Sequence, residues 1–222
     1  MFRYFALTAS LTLTFLAVTA ANFGSANFDQ AQFALVAPVA AAPAIPNWKL
    51  YKGRGVELML PDTFKGGDIK KDLGSIAKSL RSMGPDFQQM AQMIEQNPNA
   101  FVLFCFDGKV GKSGFLTNVN TTVERVSPAI TLDIYLNLLK KNLPKQFRVV
   151  ESKAISLKNH GKVGQVITEF TIRGISGKQI TYVIKHGNNV WVVPYSTGRD
   201  EFDRQLPFFK KSIDTFTITS GL

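Results

Sequence analysis

Few residues in this sequence have the types and spacing that chemistry demands. Gly108-Lys-Val-Gly-Lys-Ser-Gly114 carries the Gly-Lys-Ser triplet of a phosphate-binding loop, but the glycine required five residues earlier is replaced by Phe106. The segment also runs into a strand pattern, so no helix amino terminus is offered to a phosphate, and it reads as a solvated hairpin turn. The histidines, His160 and His186, each precede a glycine in a turn pattern and have no second ligand at metal-binding spacing. Cys105, the single cysteine, sits in the apolar run Phe101 to Phe106 and reads as a buried thiol, because a reactive one needs an electropositive, partly exposed setting. No Gly-x-Ser-x-Gly elbow is present. Neither a metal nor a cofactor is expected. A hydrolase assembled from distant carboxylates is the reading with least support, and it requires a titratable cluster in a cleft.

Binding residues are easier to nominate. Lys and Arg number 26 against 16 Asp and Glu, a formal net charge of +10. Such a charge favours encounters with anionic surfaces, either acidic proteins or lipid head groups. Lys140, Lys141, Lys145, Arg148 and Lys153 belong to the Lys- and Arg-rich faces and are the candidate docking residues. Asn118 and Asn120 form a second candidate set, because asparagine is disfavoured in strands unless its amide finds a partner. They line a polar pocket or face water, and outward polar alternation on a one-sided sheet favours water. Met83, Met90 and Met93 stand at helical spacing, as an adaptable binding face or, for Met83 and Met90, as core.

The elements that must position these residues follow from hydrophobic periodicity. Val56 to Leu60 alternates and stops at Pro61-Asp62, as a strand does. Ile69, Leu73, Ile76, Leu80, Met83, Phe87, Met90 and Ile94 recur at threes and fours, which predicts helix with a break at Gly84-Pro85. Ala100 to Phe106 is a continuous apolar run and predicts a central strand buried on both faces. Phe115 to Val126 alternates as a half-exposed strand. Leu132, Tyr135, Leu138 and Leu139 predict a helix capped by Ser127-Pro128 or Thr131, with Lys140 and Lys141 in its last turn, where cations suit the dipole.

Four strand patterns follow, Phe147 to Leu157, Val163 to Ile172, Gln179 to Lys185 and Val190 to Tyr195. Turns at His160-Gly161, Ser176-Gly177 and Gly187-Asn188-Asn189 separate them, giving the spacing of an antiparallel meander. Asp200 to Ser212 is helical in pattern with Pro207 disturbing it, and Asp214 to Thr219 makes a last strand. The fold class is α+β, a mainly antiparallel twisted sheet with helices packed on both faces.

The amino terminus predicts export. Arg3 precedes an uncharged run from Phe5 to Ala21, and small residues at Val18 and Ala20 offer a cleavage site, so residues 1–20 read as a signal peptide. An uncleaved anchor is the alternative. No cysteine follows the apolar run, which excludes a lipoprotein. Residues 21–47 read as an Ala- and Pro-rich linker, and residues 48–222 as one domain large enough to bury a core. A single cysteine leaves an exported fold without an internal disulfide, so packing must hold it. Loss of the first 42 residues removes one positive and one negative charge, so the domain stays basic. The expected compartments are periplasm, thylakoid lumen or extracellular space, and nucleic acid is not an expected partner.

Three motifs carry a family resemblance. Tyr51-Lys-Gly-Arg-Gly-Val-Glu-Leu-Met-Leu-Pro61, Gly114-Phe-Leu-Thr-Asn-Val-Asn120 and Phe208-Phe-Lys-Lys-Ser-Ile-Asp-Thr-Phe216 together frame almost the whole domain. The chain resembles the PsbP-like proteins, whose superfold includes the Mog-type Ran-binding factor. The resemblance implies an α/β/α sandwich and a non-enzymatic accessory or binding role. The long helical segment Ile69 to Gln96 departs from the compact photosystem subunit. The leading expectation is therefore an exported accessory domain that docks on an acidic protein or a membrane-associated complex. A carrier of a small or lipid-like ligand, held between sheet and helices, is the second.

Overall fold

The computed structural model describes residues 45–172 and 174–219. The proposed signal peptide, nearly all of the proposed linker and the last three residues lie outside the described residues. The chain begins with β1 (Trp48–Gly53), β2 (Val56–Pro61) and β3 (Phe64–Gly67), then α1 (Ile69–Ser82) and α2 (Gln88–Gln96). Next come β4 (Leu103–Asp107), β5 (Asn118–Arg125) and α3 (Leu132–Lys141). The meander β6 (Phe147–Leu157), β7 (Gly161–Ile172), β8 (Ile175–His186) and β9 (Asn189–Gly198) follows, before α4 (Phe202–Ile213) and β10 (Thr217–Ile218).

Among the described residues every strand pairing is antiparallel, but the strands form two sheets, not one: a large one ordered β3-β4-β5-β9-β8-β7-β6 and a small one ordered β1-β2-β10. The expected meander is present, and α1 and α2 are separate helices because Gly84 takes φ of +124° ahead of a short 3-10 turn at Pro85. Two expectations need correcting. The β7–β8 hairpin closes at the pair Ile172 and Ile175, around Gly174 with φ of +84°, so Ser176 and Gly177 lie inside a strand. Gly177 is there for packing: a Cβ on it would lie 2.3 Å from the Phe170 ring. Helix α4 runs through Pro207 without a break.

Side-chain alternation assigns the layers. Leu103 and Cys105 of β4, Val119 of β5 and Trp191, Val193 and Tyr195 of β9 face a core closed by Tyr51, Leu58 and Leu60 of the small sheet and Phe202, Phe209 and Ile213 of α4. Phe104 and Phe106 point the other way, into the apolar stripes of α1 and α2. On that same face, farther across the sheet, Val166, Val183, Val190 and Val192 receive Tyr135, Leu136 and Leu139 of α3. Helices therefore cover both faces of the large sheet. Strand β4 is buried on both sides, as expected, one strand in from the short edge strand β3. Met83 and Met93 pack half-buried against the α1–α2 core, and Met90 is buried within it.

Side-chain caps explain where two of the helices start. Asp68 accepts the Lys70 N–H at the head of α1, and Thr131 accepts the Ile134 N–H at the head of α3.

Candidate functional site

The candidate basic residues are carried by two layers. Lys140 and Lys141 occupy the last turn of α3, and Lys145 lies in the connection to β6. Arg148 and Lys153 stand on β6, the long edge strand of the large sheet, where Lys153 pairs with Glu151 at 2.5 Å. The register then does what sequence could not. Arg148 is the cross-strand partner of Glu169 on β7, and Glu169 is the partner of Lys178 on β8. Arg199, just beyond the end of β9, reaches the same carboxylate.

Glu169 is thus held by three cations. Its Oε2 lies 2.5 Å from Arg148 Nη2 and 3.2 Å from Arg199 Nη2, and its Oε1 lies 3.7 Å from Lys178 Nζ. Burial alone pushes the carboxyl up, but the Arg148 hydrogen bond and the charges of Arg199, Arg148 and Lys178 outweigh it and hold Glu169 below the ordinary carboxylate range. Lys178 is further fixed by the Phe202 ring, 4.7 Å from its Nζ. The carboxylate neutralises one of the three charges. The remaining excess is presented by guanidinium groups whose side chains are 68% and 52% exposed. Chemically, these are two planar, multiply donating cations of the type that pairs with carboxylates.

Asn118 and Asn120 contradict the outward-facing reading, being 1% and 0% exposed. Sheet geometry places Asn118, Ser196, Gln179 and Thr168 in one row across β5, β9, β8 and β7. Ser196 Oγ donates to Gln179 Oε1 at 2.7 Å, Gln179 Nε2 donates to Thr181 Oγ1 at 2.8 Å, and Asn118 Nδ2 donates to the Leu116 carbonyl at 2.8 Å. The polar alternation of β5 marks a buried hydrogen-bonded row, because helices lie over this face too.

The Gly108–Gly114 segment joins β4 to β5 and is solvated, with Val110 41% exposed. It is not loose. The Gly111 N–H donates to the Phe115 carbonyl, the Gly114 N–H to the Gly111 carbonyl, and the Lys112 N–H to Glu201 Oε1 at 2.9 Å. Glu201 is only 6% exposed, and no sequence pattern marks it, because its role depends on a contact with a loop 89 residues away.

The remaining candidates have structural partners. Cys105 is fully buried, and burial raises its thiol well above the ordinary range. His160 Nε2 lies 2.8 Å from the Phe216 carbonyl oxygen, and His186 sits where β8 turns into β9. Tyr135 donates to Glu124 Oε2 at 3.0 Å, and burial pushes the Glu124 carboxyl up despite this bond. Among the described residues no group of three or more His, Cys, Asp or Glu is arranged to hold a metal, and no helix is long and apolar enough to cross a membrane.

No protein-family model matches the chain, and no curated protein matches it. Similar solved structures include cyanobacterial PsbP (CyanoP) from Synechocystis sp. PCC 6803, at 11% identity over 81% of this chain and 97% of that one, with a TM-score of 0.49. They also include LpqN of Mycobacterium tuberculosis, described as involved in cell envelope biogenesis, at 14% identity over 78% and 91%, TM-score 0.47. A Pseudomonas aeruginosa protein of unknown function is similar at 13% identity over 80% and 100%, TM-score 0.40. PsbP is the family that the sequence motifs resemble, and these are likenesses in the course of the chain alone.

Proposed function

We propose that this chain is an exported, non-enzymatic accessory domain that docks on an acidic partner protein through the Arg148–Glu169–Arg199 cluster. The observation that carries the reading is the convergence of Arg148, Lys178 and Arg199 on one carboxylate, which leaves two exposed guanidinium groups in surplus on a chain of net charge +10. Glu169 keeps these cations together where they would otherwise repel, and carboxylates of the partner take up the surplus charge. Lys140, Lys141, Lys145 and Lys153 add a broader positive field that speeds encounter without fixing geometry. Export is supported by Arg3 and the apolar run Phe5 to Ala21.

Calorimetric titration with a glutamate-rich peptide tests the reading. Binding weakens steeply as salt is raised, and the double reversal Arg148→Glu/Arg199→Glu lowers affinity by at least about tenfold. Undiminished binding by that variant, or indifference to salt, refutes it.

A further inference from the structure

A second surface lies at the far end of α4. Trp48, Leu50 and Lys52 share one face of β1 by strand alternation, opposite Pro61, Met59 and Glu57 of β2. Leu50 is 37% exposed and Trp48 is half-buried. The Lys211 Nζ of α4 lies 5.0 Å from the centre of the Trp48 ring, which ties the helix to this face. One turn back along α4 from Lys211, on the same side, Phe208 is 45% exposed. Singly exposed apolar residues are ordinary. Here a strand face that bears a tryptophan and a leucine meets, through the Lys211–Trp48 contact, a helix that exposes a phenylalanine one turn away, and exposed Lys52 and Lys210 flank the set, with Glu57 taking up the Lys52 charge at 2.9 Å.

The geometry points to an anionic lipid surface as the occupant of this face. Lysine is depleted in protein–protein interfaces, whereas lysine beside tryptophan and phenylalanine is the composition of surfaces that lie on head groups. Tryptophan seats at head-group depth, the apolar side chains enter the acyl boundary, and the lysine ammonium groups meet lipid phosphates. The opposite end of α4 carries the arginine-rich cluster suited to protein carboxylates, roughly 18 Å away along the helix. The lipid face stands independently of the acidic-partner reading.

Trp48 supplies the readout, since the other tryptophan, Trp191, is 1% exposed. The full chain is titrated with vesicles of phosphatidylcholine alone and of phosphatidylcholine mixed with phosphatidylglycerol, following sedimentation and tryptophan emission. The mixed vesicles bind more tightly and shift the emission to the blue, and Trp48→Phe abolishes the shift. Lys210→Glu/Lys211→Glu lowers binding by more than about 25-fold, at about fivefold per lysine. Phe208→Ser lowers it about tenfold. Arg148→Glu/Arg199→Glu leaves it within about twofold, so failure of the acidic-partner reading and failure of this one are told apart. Equal binding to both vesicle types overturns the proposal. So do absent binding to the mixed vesicles, unshifted emission, or an equal loss in the arginine variant.

Discussion

Glu169 is the residue on which the candidate site turns, and its titration gives the site a pH signature. Its carboxyl is held low in the folded protein, so the stability it contributes is present above the ordinary carboxylate range and is lost as pH falls through its depressed folded value. Glu169→Gln removes that contribution and leaves Arg148, Lys178 and Arg199 without their common anion. The variant is expected to melt below the parent at neutral pH, with the gap closing in acid. Thermal melts across pH check this, and a gap that widens in acid contradicts it. Arg148 was legible in the sequence as one member of a basic run. Glu169, Lys178 and Arg199 were not, because cross-strand neighbours are set by register, which composition does not encode. Asn118 and Asn120 were legible as unusual strand residues but misjudged in exposure, since the outward-facing rule holds only where one sheet face is bare.

Among the elements, α3 is seated by a single small residue. Gly164 of β7 lies beneath Leu136, and a Cβ there would come within 2.5 Å of Leu136 Cδ2. Gly164→Val forces the helix outward and is expected to cost about 1–3 kcal/mol, the usual price of overpacking. Denaturant unfolding measures it, and a neutral result would show that α3 shifts freely on the sheet. The four helices of the described residues were readable because three- and fourfold spacing over nine or more residues has few competing explanations. Strands β1 and β3 were not. Trp48–Gly53 mixes lysines with apolar residues on both faces, and Phe64–Gly67 is four residues long with glycines at φ of +134° and +156°. The turn placed at Ser176-Gly177 followed the glycine, whereas the chain uses Gly174 for the turn and Gly177 to make room for Phe170.

At the scale of the molecule, the sandwich puts chemically different surfaces at the two ends of one helix. Arginines gather near the start of α4 around Glu169, while Trp48 and lysines gather near its end. Both ends are anchored through the core: the helix stripe Phe202, Phe209 and Ile213 packs between the two sheets, and Ser212 Oγ donates to the Met59 carbonyl at 2.7 Å. The sheet division was not legible, because it depends on β10 and α4 returning to β2, a contact between opposite ends of the domain.

That return has a consequence for the order of assembly. Strands β6 to β9 are joined by short hairpins and can zip locally as soon as they exist, whereas β5 must find β9 across the whole meander and β2 must await β10. A ribosome therefore releases the meander before the residues that complete the small sheet. Pulse-labelled amide exchange during refolding is expected to protect β7 and β8 early and β10 last, and simultaneous protection would contradict it. The Trp48 face would then be the last surface of the molecule to acquire its shape.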